Sequence, residues 1–202
     1  MIVDMPSLRA DARYHWMTQA IIPRPVAWML TENDGGDYNL APFSYFNALC
    51  SAPPLIGVSM SDKPGGSPKD TLYNVRARKS FVVHIASTAM LSSLNESSAT
   101  LPYGDSELTR LDIKTESFGE MLRIAECPVA MLCSLHDEVA LGANGQTLIL
   151  GEIRLLYAAD SVIVKDAKGR ETIDAQKTDP VARLSAGNYA RLGELMRLQR
   201  PA

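Results

Sequence analysis

The chain has 202 residues, 46% of them hydrophobic and 21% charged, with a formal net charge of -3, the balance of an ordinary globular domain and not of a disordered segment. A chain of this length buries roughly 70% of its unfolded surface on folding, enough for a full core without disulfide or metal staples, and argues for one domain over residues 1–202. The acidic balance leaves no basic footprint for a nucleic-acid partner.

In chain order, Met1-Ile2-Val3-Asp4 turns polar with no basic region leading into an apolar run, so no signal peptide is expected. Residues 7–19 read as a short helix or turn. Pro23 and Pro25 bracket Arg24 and force extended backbone, and the apolar run Val26 to Leu30 suits a strand. Asn33-Asp34-Gly35-Gly36-Asp37 is a hairpin signal, because Asx and Gly supply the positive φ angles of tight turns. A second strand then returns through Tyr38, Leu40 and Phe43, and Leu55 to Met60 is a third, buried strand.

The stretch 61–68, with Pro64, Gly65, Gly66 and Pro68, is a loop. A helix starts at Asp70, with Leu72 and Val75 spaced to face a core. Phe81 to Ala86 reads as a strand, 88–97 as a second helix, and 98–112 as polar and turn-rich. Cys127 to Leu135, Thr147 to Leu156 and Ser161 to Val164 follow as strands, the last at an edge. Leu184 to Leu198 reads as a terminal helix. Many short strands with few helical patches favour an antiparallel barrel over a parallel α/β sheet, and no run of about 18 uncharged apolar residues predicts a membrane span.

Candidate chemistry is narrow. His15, His84 and His136 stand at no metal-ligand spacing; His84 lies on its strand facing either solvent or a cofactor. The three cysteines are an odd number at no zinc spacing, which points to a reducing, cytoplasmic setting and not a secreted disulfide framework. Cys127 and Cys133, an even number apart, are expected to share a strand face as core packing. Cys50 sits at a turn with no identifiable base beside it. No nucleophile elbow, P-loop or Rossmann glycine pattern is present.

What remains is a concentration of hydroxyl, amide, aromatic and basic groups over 24–74. Asn39 to Ala48 offers polar groups beside rings, with Pro42 limiting backbone pairing, and suits a planar heteroaromatic ligand. Ser67-Pro68-Lys69-Asp70-Thr71 stands at a helix start, where free N–H groups, the Thr71 hydroxyl and the Lys69 charge can hold a phosphate. Alternatively, Ser67 or Asp70 simply caps that helix.

The ordered set Ile22-Pro23-Arg24-Pro25-Val26-Ala27-Trp28, Asn39 to Asn47, Ser51 to Leu55, Lys69-Asp70-Thr71-Leu72-Tyr73-Asn74, Gly151-Glu152-Ile153 and Pro180 to Leu184 with Gly187 and Tyr189 resembles the flavin reductase-like FMN-binding proteins of the flavoredoxin type, over residues 20–190. The resemblance implies a mainly β, antiparallel, Greek-key-like split β-barrel with a few peripheral helices, a homodimer, and one FMN per subunit. It implies that Ser44, Tyr45, Phe46 and Asn47 line the flavin and that Ser59, Met60 and Ser61 close the site. Arg24, Lys69 and Thr71 would neutralise the phosphate, with Asp70 and Asn74 in the same motif and Arg183 and Tyr189 close by. The implied activity is hydride transfer from NADH or NADPH to FMN. Two other readings stay open: an electron carrier served by a redox protein partner, and a flavin-binding module without catalysis. One departure is that Leu141-Gly142-Ala143-Asn144-Gly145-Gln146 lacks the His that monooxygenase-serving flavin reductases often carry there, which bears on nicotinamide oxidation. The stretch Ser98 to Thr109 is a surface loop and a candidate cover for the flavin.

Overall fold

The computed structural model describes residues 1–142 and 145–199. Helix α1 (Ala10–Ala20) precedes β1 (Arg24–Pro25), β2 (Ala27–Glu32), β3 (Tyr38–Phe43), β4 (Phe46–Ser51) and β5 (Pro54–Ser61). Helix α2 (Asp70–Arg78) leads to β6 (Ser80–Ile85), then α3 (Leu91–Glu96) and α4 (Glu107–Arg110). The hairpin β7 (Thr115–Phe118) and β8 (Met121–Ile124) precedes two long strands, β9 (Val129–Leu141) and β10 (Gln146–Ala158). The chain ends with β11 (Ile163–Lys165), β12 (Glu171–Ile173), α5 (Ala175–Thr178), β13 (Ala182–Arg183) and β14 (Tyr189–Ala190).

Seven strands form one antiparallel sheet in the order β3-β2-β6-β9-β10-β5-β4. Its two edge strands, β3 and β4, are consecutive in the chain and joined through Ser44 and Tyr45. The Ser59 N–H donates to the Tyr45 carbonyl at 2.8 Å, so this corner is held down on β5. The sheet therefore curls until its edges meet at a chain corner, a split β-barrel whose crossover from β5 to β6 carries α2. One cluster of buried side chains draws on all seven strands: Phe43, Met29, Phe81, Cys133, Ile149 and Val58, with Phe46 packed against them and α2 contributing Leu72 and Val75. A second cluster lies on the other face, where Trp28, Leu30, Val82 and Leu132 pack against Leu94 of α3, Leu108 of α4 and the β7–β8 hairpin. Strands β2 and β6 and the first part of β9, residues 129–133, are buried on both faces, which is why they read as near-continuous apolar runs, whereas the second half of β9 is exposed.

Four expectations are corrected. The stretch around Pro42 is paired backbone, since Pro42 sits opposite Trp28 in the β2–β3 ladder; β3 is an edge strand, where a residue without N–H is tolerated. Cys50 lies on β4 opposite Leu55 and not at a turn. Cys127 and Cys133 belong to different clusters, because Cys127 precedes the start of β9 and its position is not governed by strand alternation. The expected helix over Leu184 to Leu198 is absent: Leu184 and Asn188 close a turn through positive φ at Ala186 (49°) and Gly187 (83°), and β13 turns back as β14. The hairpin β7–β8 and the short α4 also stand where no regular structure was read.

Candidate active site

Three adjoining hollows share Pro42 at the barrel corner. Their walls come from α1, the β3–β4 corner, the ends of β5 and β10, the start of α2, and the C-terminal hairpin β13–β14.

The first hollow lies at the start of α2. The helix is preceded by Lys69 in extended conformation, and no side chain caps it, so neither Ser67 nor Asp70 serves as the cap the sequence allowed. Its leading N–H groups carry the positive end of the helix dipole. Asp70 is paired with Lys63 at 2.6 Å, whereas the Lys69 ammonium has no ion pair or hydrogen bond among the described residues. Glu107 forms part of the opposite wall and accepts the Leu40 N–H at 2.8 Å. Burial pushes its carboxyl above the usual range against the opposing effect of the Leu40 N–H and its own backbone N–H, and the nearby Asp70 adds to the rise.

The second hollow is ring-lined. Tyr14 of α1 and Tyr45 stack with centroids 6.3 Å apart and planes 30° off parallel, and burial, then the neighbouring Tyr14, raises the Tyr45 hydroxyl. Phe43, Ser44, Ser59, Ser61 and Lys69 complete it. Gln146 at the start of β10 donates from Nε2 to the Ser59 hydroxyl at 2.6 Å. Met60 also borders the hollow but is 2% exposed, so its side chain belongs to the core. Lys69 borders both the first and second hollows. The third hollow, between α1, α3 and the C-terminal hairpin, holds Asn95, Arg183 and Tyr189.

The cleft thus gathers Ser44, Tyr45, Ser59, Met60, Ser61, Lys69, Asp70, Thr71, Arg183 and Tyr189. Four other residues depart from expectation. Arg24 is buried, and its guanidinium donates to the carbonyls of Thr18 (2.9 Å), Ile21 (2.6 Å) and Leu184 (2.7 Å) and to the Ser44 hydroxyl (3.4 Å). Those bonds occupy most of its fork, so it clamps chain segments together and is not free to neutralise a phosphate. Asn74 is buried beneath α2, donating to Thr31 and to Asn33 at 2.8 Å. Phe46 packs on the core, and Asn47 is exposed on β4; neither borders the three hollows. Thr71 keeps its place at the cleft, but its buried hydroxyl already accepts from Asn39 at 2.9 Å.

His84 faces neither solvent nor the cleft. It is fully buried, bonded to the Trp28 carbonyl and the Ile124 N–H. The loop 98–106 borders the first hollow through Ser98 to Leu101 but is pinned beyond it: the Tyr103 hydroxyl donates to Asn74 at 3.2 Å and accepts the Asp34 N–H at 3.3 Å. Ala143 and Asn144, in the stretch lacking a His, lie outside the described residues. Sequence reading did not single out Tyr14, Asn95, Glu107 or Gln146, because each reaches the cleft from an element distant in the chain, nor Lys63, whose loop was read only as a connection to α2. Among the described residues no cluster of three His, Cys, Asp or Glu side chains can hold a metal ion, and no helix is long and apolar enough to cross a membrane.

Comparison with known proteins agrees with this architecture. Residues 17–166 match the family described as flavin reductase like domain, and the chain belongs to that family. It is 33% identical over 207 residues to the uncharacterized protein YwrF of Bacillus subtilis, covering 100% of this chain and 99% of that one. Nitrilotriacetate monooxygenase component B from Bacillus cereus superposes with a TM-score of 0.89 at 32% identity, over 98% of both chains. Pseudomonas fluorescens 2-nitrobenzoate 2-nitroreductase NbaA gives 0.85 at 25% identity, over 100% of this chain and 96% of the other.

Proposed function

We propose that the chain binds FMN and acts as an NAD(P)H-dependent flavin reductase, as a cytoplasmic protein with one domain over 1–202. The observation that carries this reading is Lys69: an ammonium without an ion pair among the described residues stands beside an uncapped helix start, at the junction of a polar hollow and a ring-lined one. That juxtaposition suits a molecule with a planar heteroaromatic end and a single terminal phosphate. The names of the two similar structures, a monooxygenase component and a nitroreductase, support a redox role.

In this reading Lys69 and the leading N–H groups of α2 hold the phosphate. Tyr14, Phe43 and Tyr45 shield the ring from water, and the hydroxyls of Ser44, Ser59 and Ser61 meet its polar edge. Gln146 orients the Ser59 hydroxyl, and Arg24 fixes Ser44 from below. When bound, FMN would supply the redox chemistry, as a ring able to accept hydride from a nicotinamide. The chain's residues provide position and electrostatics.

The same reading includes a homodimer. The outer face of β4, β5, β9 and β10 carries Leu49, Val139 and Leu141, 51%, 41% and 38% exposed, with Leu148 paired beside Val139. Gly57 keeps this face flat where Leu49 lies across it. An apolar sheet face of this kind suits an isologous contact with a second copy. Sedimentation of the FMN-loaded protein is expected to show twice the chain mass, and Leu148→Lys is expected to shift it toward monomer.

The reaction is tested by anaerobic mixing of the FMN-loaded protein with NADH and with NADPH. Bleaching of the flavin absorbance by either is the expected result. If dithionite bleaches it and neither nicotinamide does, an electron-carrier role replaces the reductase reading.

A further inference from the structure

The third hollow has features that holding a flavin phosphate or ring leaves unused. The Arg183 guanidinium lies 4.5 Å from the centroid of the Tyr189 ring and makes no hydrogen bond or ion pair among the described residues. Stacking on an aromatic face fixes the plane of a guanidinium while leaving its edge donors available for a bidentate partner. Tyr189 is itself oriented, since its hydroxyl donates to Asn95 Oδ1 at 3.0 Å. That bond turns the Asn95 amide and leaves its NH2 group, with two donors, without a protein acceptor.

The rest of the hollow has an apolar floor and an aromatic side, and Ser44 and Ser98 also border it. Val26 and Leu94 are 5% and 1% exposed, and Tyr14 is shared with the ring-lined hollow next door. No Asp or Glu borders it, so an anion meets no like charge. A cation stacked over Tyr189, an amide donor beside it, apolar side chains at the floor and no carboxylate in the lining together suit a planar organic anion.

We propose that this hollow binds a monocyclic aromatic carboxylate, its carboxylate on Arg183 and the Asn95 amide and its ring beside Tyr14. It would be the second ligand of the cleft, and the proposal rests on the flavin reading above for its neighbour. Arg183 and Tyr189 then serve this ligand and not the phosphate of FMN.

The test uses the FMN-loaded protein titrated with benzoate and with benzamide, its uncharged counterpart, followed by calorimetry and by perturbation of the flavin spectrum. Benzoate is expected to bind at least tenfold more tightly than benzamide, the scale of a hydrogen bond to a charged group. Arg183→Gln is expected to abolish that preference and Arg183→Lys to restore part of it. If FMN binds normally but benzoate does not bind, or binds no better than benzamide, the carboxylate site is overturned and the flavin reading stands. If FMN does not bind, the flavin reading fails. The same pair of titrations on flavin-free protein then decides the hollow by itself: a tenfold preference for benzoate supports it, and absence of binding or of preference overturns it.

Discussion

The Nε2 atom of His84 accepts the backbone N–H of Ile124 at 2.9 Å, while its Nδ1 lies 3.0 Å from the carbonyl of Trp28. One nitrogen must accept and the other donate, so the ring is neutral with its proton on Nδ1. A single imidazole thereby joins β2, β6 and the β7–β8 hairpin across the core. Burial, with Arg123 also nearby, holds its pKa at about 4 against the raising effect of the Trp28 bond.

The sign of the resulting pH effect follows from linkage. Folded His84 titrates at about 4 and an unfolded histidine near 6.5, so between these values the unfolded chain binds more protons and stability rises with pH. The contribution is complete above pH 6.5 and is lost as pH falls toward 4, on the order of 3 kcal/mol in all. Urea midpoints measured at pH 7 and pH 5 are expected to differ accordingly, and the part due to His84 to vanish in His84→Gln.

Arg24 offers a test of structure against ligand binding. Its replacement by Met leaves the carbonyls of Thr18, Ile21 and Leu184 without their donor, at a cost of about 2–4 kcal/mol. The urea midpoint is expected to fall, while the ratio of FMN to riboflavin affinity, measured under native conditions, stays unchanged. A collapse of that ratio would restore the phosphate role.

Lys69→Ala should behave in the opposite way. Loss of one charge-assisted contact weakens FMN by roughly tenfold with little change in fold stability, since Lys69 makes no ion pair among the described residues. Riboflavin, which has no phosphate, is expected to bind equally well to both proteins in a fluorescence titration.

Gly151→Ala probes the barrel wall. A Cβ there would come within 2.6 Å of Phe81 Cζ, and Phe81 is fully buried in the interior cluster. Overpacking of this kind costs about 1–3 kcal/mol. Thermal unfolding is expected to show the loss, and Gly151→Ala combined with Phe81→Leu to recover part of it.

The strand-rich architecture was legible because burial on both faces writes β2, β6 and the first part of β9 as apolar runs, and because Asn33 to Asp37 can only turn. The helix start at Asp70 was legible from Leu72 and Val75. Strand β4 was hidden because Asn47 to Ser51 lie exposed on an edge and carry no alternation. The tail misled because leucines at helical spacing outweighed the left-handed turn at Ala186 and Gly187. In the cleft, residue types of the Lys69 motif were readable, but Arg24 was read as a ligand since its partners are three carbonyls, one of them 160 positions away. Backbone acceptors have no sequence signature, so a guanidinium spent on them looks free.

Strand β13 pairs with β1, setting Arg183 opposite Arg24, and the Leu184 carbonyl completes the clamp on the Arg24 guanidinium. The wall of the cleft is therefore stitched from the first and last parts of the chain. Chains emerge from the ribosome N-terminus first, at about 5–20 residues per second, so the seven strands of the barrel are all outside before their closing seam exists. A chain ending at residue 180 would contain all seven strands but leave Arg24 with one of its three carbonyl partners missing. The corner of the cleft that Arg24 clamps therefore closes only after all seven strands of the barrel are available.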